Sequence, residues 1–228
     1  DDKSSKSDDA QKTALDSTNT SADEEMDATD NNGVSEENLA AELYKGNIVN
    51  YLLVPEGVEI PVGLEQDMII VNLPANKTYA ASKDILETMK DLDLLDNVAA
   101  VGMEKDDCSI SEIADKMEAK DGEDAEVAFG GLFGQPDLKA LVKQETNLAL
   151  LPAEFLPMDK EAAKEQEELF EKVTEKFAML GIPVIVDRSS QEKTDLAKLE
   201  WIKVYGVLYG CEDQMNEKFE AAVKVAEK

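Results

Sequence analysis

The chain has no histidine, a single arginine, a single tryptophan and two cysteines in 228 residues. Without histidine there is no Ser-His-Asp or Cys-His catalysis and no histidine-ligated zinc. Cys108 and Cys211 are too few and too far apart for a metal motif or a disulfide framework, and they are expected to be unbonded. Positive charge is also scarce: 23 basic residues against 51 acidic ones give a net charge of -28. Such a surface repels phosphate backbones, so nucleic-acid binding is excluded, and an anionic membrane is disfavoured for the same reason. No apolar run approaches the roughly 20 residues of a membrane span. Gly-x-Gly-x-x-Gly, P-loop and Gly-x-Ser-x-Gly motifs are missing as well, and Gly130, Gly131 and Gly134 have the wrong spacing for a dinucleotide fingerprint.

What is present divides the chain into three parts. Residues 1–43 hold thirteen Asp or Glu and three Lys, with no apolar periodicity. This composition cannot bury a core and predicts a disordered acidic tether. About 40 flexible residues reach on the order of 35 Å on average. The Asp27-to-Gly33 stretch lacks the alternating ligand spacing of an EF-hand loop, so no calcium site is expected there. Residues 44–210 read as one α/β lobe, and residues 211–228 as the start of a long helix whose apolar stripe (Met215, Phe219, Ala222, Val223, Ala226) is still running at the last residue.

Within the lobe, short apolar runs alternate with helical patterns. Tyr51–Val54, Met68–Val71, Val98–Val101, Val127–Phe129, Leu148–Leu151 and Val184–Val186 read as strands. Runs without polar alternation belong to strands buried on both faces. Residues 74–77 are read as a turn into a helix with Tyr79, Ile85, Leu86, Met89 and Leu92 on its face. A capping box, Ser109 to Glu112, predicts another helix, and Pro136 suits the first turn of a third. Residues 159–180 predict a long amphipathic helix with Leu169, Phe170, Val173, Phe177 and Leu180 as its apolar face. Gly181 and Pro183 stop it. The fold class expected is α/β: a three-layer lobe with a mostly parallel sheet flanked by helices and a long helix at the end.

Three loops are expected to meet at the carboxyl edge of the sheet, where open parallel sheets bind ligands. The first is Asn76-Lys77-Thr78-Tyr79, whose helix N-terminus would offer free amides to an anion; alternatively Asn76 caps its helix and Tyr79 packs. The second is Leu132-Phe133-Gly134-Gln135, whose aromatic either covers a flat ligand or plugs the core. The third is Arg188-Ser189, where the only guanidinium suits carboxylate or catecholate oxygens; alternatively Arg188 pairs with Asp187 or Glu192. Trp201 reads as core and Glu200 as solvated.

Gly134-Gln135-Pro136-Asp137-Leu138-Lys139-Ala140-Leu141, then Asn147-Leu148-Ala149-Leu150-Leu151, then Gly181-Ile182-Pro183-Val184-Ile185-Val186 occur in this order. Together they resemble a signature of the helical-backbone class of ABC-transporter substrate-binding proteins, the receptors for ferric siderophores, haem and cobalamin. Residues 187–190 through 199–206 resemble an iron-complex branch more specifically. Lys139 stands where glutamate is common, and Asn147 replaces a usual Pro-Asp. The resemblance covers Tyr51 to Lys228. It implies two α/β lobes joined by one helix with the ligand between them, so that a second lobe is absent here and Cys211–Lys228 is the start of the interlobe helix. It further implies a receptor rather than an enzyme, capturing an iron chelate or cobalamin-like ligand, with no cofactor and as a monomer. An ABC permease would be the partner, docked through an acidic residue near the position of Glu161. The setting would be extracytoplasmic, with the chain anchored as a lipoprotein after removal of its signal segment. Two other readings are an α/β enzyme of unknown reaction and a surface interaction module without a transport role.

Overall fold

Short apolar runs become the parallel strands around which the chain is built. The computed structural model describes residues 49–60, 68–119, 123–156 and 163–226. The tether expected over residues 1–43, the start of the lobe at residue 44 and Glu161 all lie outside them. β3 (Thr78–Ala80), β4 (Val98–Val101), β5 (Ala128–Phe129), β8 (Leu148–Pro152) and β9 (Val184–Asp187) form a five-stranded sheet in the order β5-β4-β3-β8-β9. Every pairing in it is parallel. β1 (Tyr51–Val54) and β2 (Ile69–Asn72) pair in parallel as a separate ribbon. β6 (Gly131–Leu132) and β7 (Gln135–Pro136) form a small antiparallel hairpin.

Each strand sends side chains alternately to two cores. Leu148, Leu150, Ile185 and Val101 enter one face with Ile85, Leu86 and Met89 of helix α1 (Lys83–Asp91) and Ile113 of α2 (Ser111–Lys116). Ile202, Tyr205 and Leu208 of α6 (Ile202–Tyr209) join the same core, as does Met215 of α7 (Glu212–Ala226). Ala149, Leu151, Val184 and Val186 enter the opposite face. There they meet Leu141 of α3 (Leu138–Lys143) and Phe170, Val173 and Phe177 of α4 (Ala163–Met179). α5 (Asp195–Glu200) leads into α6. Helices on both faces of a parallel sheet make the three-layer α/β lobe that the strand and helix alternation implied. Burying each of Leu148, Leu150 and Leu151 of β8 is worth about 1.5–3 kcal/mol.

Several local expectations are corrected. Tyr79 is not on a helix: Thr78–Ala80 is the central strand of the sheet, fully buried. α1 starts only after Ser82, whose hydroxyl accepts from the Ile85 amide at 3.3 Å and caps it. The Ser109–Glu112 capping box does not form; Ile110 occupies the cap position and the Ser109 hydroxyl donates to Glu87 instead. Pro136 lies in β7 rather than in a helix, and Asp137 caps α3 by accepting from the amides of Lys139 and Ala140. Leu169 leaves the apolar face of α4 and is 40% exposed beside Gly134.

Along α7, Met215 packs against Gly206 of α6, Phe219, Ala222 and Val223 are half-buried, and Ala226 is exposed. Both cysteines are free and half-buried.

Candidate functional site

Strand direction decides which loops can meet. Arg188 and Ser189 follow β9 and the hairpin of residues 131–136 follows β5, so both lie at the carboxyl edge of the sheet. Asn76 and Lys77 precede β3, which places them at the amino edge. The expected convergence of three loops on one edge is therefore corrected to two. No helix begins at Asn76 either, so the amides proposed to hold an anion there are not helix-terminal.

At the amino edge the polar groups are consumed in holding backbone together. The Asn147 side chain accepts from the Lys77 amide (3.1 Å) and donates to the Pro74 carbonyl (3.1 Å) and to Asn76 Oδ1 (3.2 Å). The Asn147 amide donates to the Lys77 carbonyl at 2.9 Å. Thr78 is buried, with its hydroxyl 2.9 Å from that of Tyr209. Burial holds the Tyr209 phenol above its ordinary pKa. Tyr79 is fully buried, packs on Phe177 with ring centroids 5.6 Å apart, and donates its hydroxyl to the Gly131 carbonyl at 2.9 Å. It supports the carboxyl-edge hairpin from beneath rather than facing a ligand. Burial raises its pKa as well.

At the carboxyl edge the hairpin takes the second of the two arrangements left open for its aromatic. Phe133 is 6% exposed and plugs the core, whereas Leu132 is 60% exposed. Gly131 permits this turn. It has φ +80°, and a Cβ there would stand 2.4 Å from the Gln135 carbonyl oxygen. Gln135 is exposed and Phe129, at the end of β5, is partly exposed.

The end of β9 is built differently. Asp187 is 8% exposed. Its Oδ1 accepts from the Ser189 amide at 2.8 Å, and its Oδ2 accepts from the Tyr205 hydroxyl at 2.6 Å. These bonds fold the turn that carries Arg188 and pin it to α6. Burial first, and the adjacent Asp187 carboxylate second, hold the Tyr205 phenol well above its ordinary pKa. Glu192 accepts from the Trp201 indole at 3.1 Å. Trp201 is half-buried at the junction of α5 and α6 rather than fully in the core, and Glu200 is exposed beside Lys203 at 3.0 Å. Tyr51, of β1, also senses this edge. Burial pushes its phenol up to about 12, against the opposing influence of the Val186 backbone and the Arg188 charge.

Two cavities adjoin β9. A groove of about 490 Å³ runs between α1 and the α5–α7 segment, with Asp187 and Ser189 in its wall. A smaller apolar one of about 270 Å³ lies between β1, β9 and α6, lined by Tyr51, Ile185 and Val207 among others. Among the described residues no group of three or more acids and cysteines is placed to hold a metal ion. None of the described helices is long and apolar enough to cross a membrane.

Asn147, Asp187, Tyr205 and Leu132 were not singled out as site residues from the sequence. A polar residue ending a buried strand, as Asp187 does after Val184-Ile185-Val186, was the available signal for one of them. Tyr205 and Tyr209, four residues apart, share a helix face and stack at 6.4 Å.

No protein-family model matches the chain, and no curated protein sequence is similar to it. Among solved structures it is similar to a periplasmic binding protein from Veillonella parvula, at 14% identity and a TM-score of 0.41, over 65% of this chain and 44% of that one. It is also similar to an ABC-type Fe3+-hydroxamate transport system from Saccharomonospora viridis, at 17% identity and a TM-score of 0.40, over 66% of this chain and 48% of that one. The chain thus spans less than half the length of either, and at these scores neither likeness assigns it a function.

Proposed function

We propose that the chain is a ligand-capturing lobe of an ABC-importer receptor, taking an iron chelate of the siderophore type or a cobalamin-like molecule at the carboxyl edge of its sheet. One observation carries the proposal. The run Gly181-Ile182-Pro183-Val184-Ile185-Val186, which resembles the receptor signature, delivers Asp187-Arg188-Ser189 to that edge of an all-parallel sheet. Ligands of open parallel sheets bind outside the carboxyl ends of the strands. Arg188 supplies a planar fork for carboxylate or catecholate oxygens, and Ser189 a hydroxyl beside it. Gln135 and the exposed Leu132 stand on the hairpin at the same edge. Lys77, Asn76, Thr78 and Tyr79 are left out of the contact set, and Phe133 acts as the plug beneath the hairpin. The partner is a membrane permease in an extracytoplasmic setting, with a lipid anchor on the acidic N-terminal side. Glu161 is the residue proposed to dock on the permease.

A single lobe supplies part of a two-lobed contact surface. Each 1.4 kcal/mol lost weakens binding about tenfold. The test is a fluorescence titration with a ferric hydroxamate, a ferric catecholate and cobalamin. It compares the chain alone with the chain joined after Lys228 to a second α/β lobe of the same class. Weak binding by the chain alone and tight, saturable binding of one ligand by the joined form are expected. Equal affinity in both forms, or none in either, would contradict the proposal.

A further inference from the structure

The groove between α1 and the α5–α7 segment lies on the helical face of the sheet and has a chemistry of its own. Leu92, Leu199 and Ile202 give it apolar lining, with Leu92 5% and Ile202 8% exposed. Its wall contains Asp187, a carboxylate that is more than nine-tenths buried. The two partners of Asp187 are the Ser189 amide and the Tyr205 hydroxyl, both neutral. Among the described residues no lysine or arginine forms an ion pair with it. Asp187 therefore has hydrogen-bond donors but no counter-ion among the described residues, and a low dielectric strengthens the attraction between opposite charges.

The other charges of the groove point the same way. Asp91 and Asp195 also line it. Of its two lysines, Lys218 is turned onto Asp93 Oδ2 at 3.2 Å and the Asp91 carbonyl at 3.1 Å, which leaves exposed Lys198 as the remaining cation. The chain as a whole carries -28 and concentrates cations near its surface. A volume of about 490 Å³ falls within the size range of small-molecule sites, and a mostly apolar lining with a few placed polar groups is their usual composition.

We infer that this groove binds a small organic cation: an ammonium group facing Asp187 and Asp195, on an apolar body lying over Leu92, Leu199 and Ile202 beside Trp201. The inference does not depend on the chelate reading, since it uses neither Arg188 nor the carboxyl-edge hairpin.

Trp201 is the only tryptophan and lines the groove, so its fluorescence reports occupancy directly. Three probes with one apolar body and different charges discriminate the idea: 2-phenylethylammonium, 2-phenylethanol and 3-phenylpropionate, titrated into the full chain at low salt. The cation is expected to give a saturable change with an affinity at least tenfold above that of the anion, with the alcohol between them. Added salt should reduce the cation's advantage. Asp187→Asn should remove most of it. Asp195→Asn, an exposed change at the groove rim, should reduce it severalfold without touching the buried Tyr205 bond, and it decides the matter if Asp187→Asn does not fold. Equal binding of all three probes, preference for the anion, no saturable response, or a charge preference unchanged in Asp195→Asn would each overturn the inference.

Discussion

The two edges of the five-stranded sheet use polar residues in opposite ways. At the amino edge, Asn147 spends its side-chain amide on Lys77, Pro74 and Asn76, and Thr78 spends its hydroxyl on Tyr209. At the carboxyl edge, backbone approaches backbone directly: a Cβ on Gly102 would lie 2.4 Å from the Ala81 carbonyl oxygen, and Gly131 turns the chain with positive φ. Asp187 there accepts from the Ser189 amide and the Tyr205 hydroxyl, while Leu132 and Gln135 stay exposed. The difference teaches that residue type alone does not mark a binding edge. Asn, Lys and Thr make a structural clamp where the chain enters strands. The edge where it leaves them buries Phe133 and Asp187 but leaves Leu132 and Gln135 exposed.

Alkali should break both edges at once, and this is the largest effect expected. The phenols of Tyr51 (about 12), Tyr79, Tyr205 and Tyr209 are all raised by burial. Each folded value lies above the unfolded value of about 10, so the stability these groups contribute is fully present below pH ~10 and lost as pH rises through the folded values. Phenolate absorbance should therefore appear in the same transition as the loss of circular dichroism. Phenolate formation well before unfolding would show these hydroxyls to be open to water.

Gly102→Ala should separate the edges. Its Cβ meets backbone rather than a flexible side chain, so β3 and β4 must part at their carboxyl ends, at a cost of about 2–3 kcal/mol. Denaturant midpoints measure this; a cost under about 0.5 kcal/mol would mean that the strands adjust freely. Asn147→Ala should act on the other edge with about 1 kcal/mol, since its partners are exposed enough for water to replace the lost bonds in part. Hydrogen exchange should rise at Lys77. Leu132→Ser, on the exposed hairpin, should change stability by no more than about 0.5 kcal/mol in the same measurement.

The sheet was legible in the sequence because most of its strands are short apolar runs without alternation, as strands buried on both faces are. Thr78–Ala80 was missed because three residues are too few to declare a period next to a strong helical pattern, and the miss moved Asn76 and Lys77 to the wrong edge. Phe133 was left open between lid and plug, because a Gly-flanked aromatic is compatible with either side of a turn; Gly131's positive φ and the packing of α4 turned it inward. The Asp187–Tyr205 bond joins residues 18 positions apart on a strand and a helix. No local pattern announces such a pair, because it depends on how α6 lies against β9.

The most direct measurement of the central claim is the affinity of the lobe-completed protein for its ferric chelate in two variants, one at each edge. Arg188→Ala should weaken binding tenfold or more, equivalent to about 1.4 kcal/mol. Lys77→Ala should leave the affinity within about twofold, since that residue lies at the opposite edge. Loss of binding in Lys77→Ala with Arg188→Ala unchanged would contradict the assignment of the carboxyl edge.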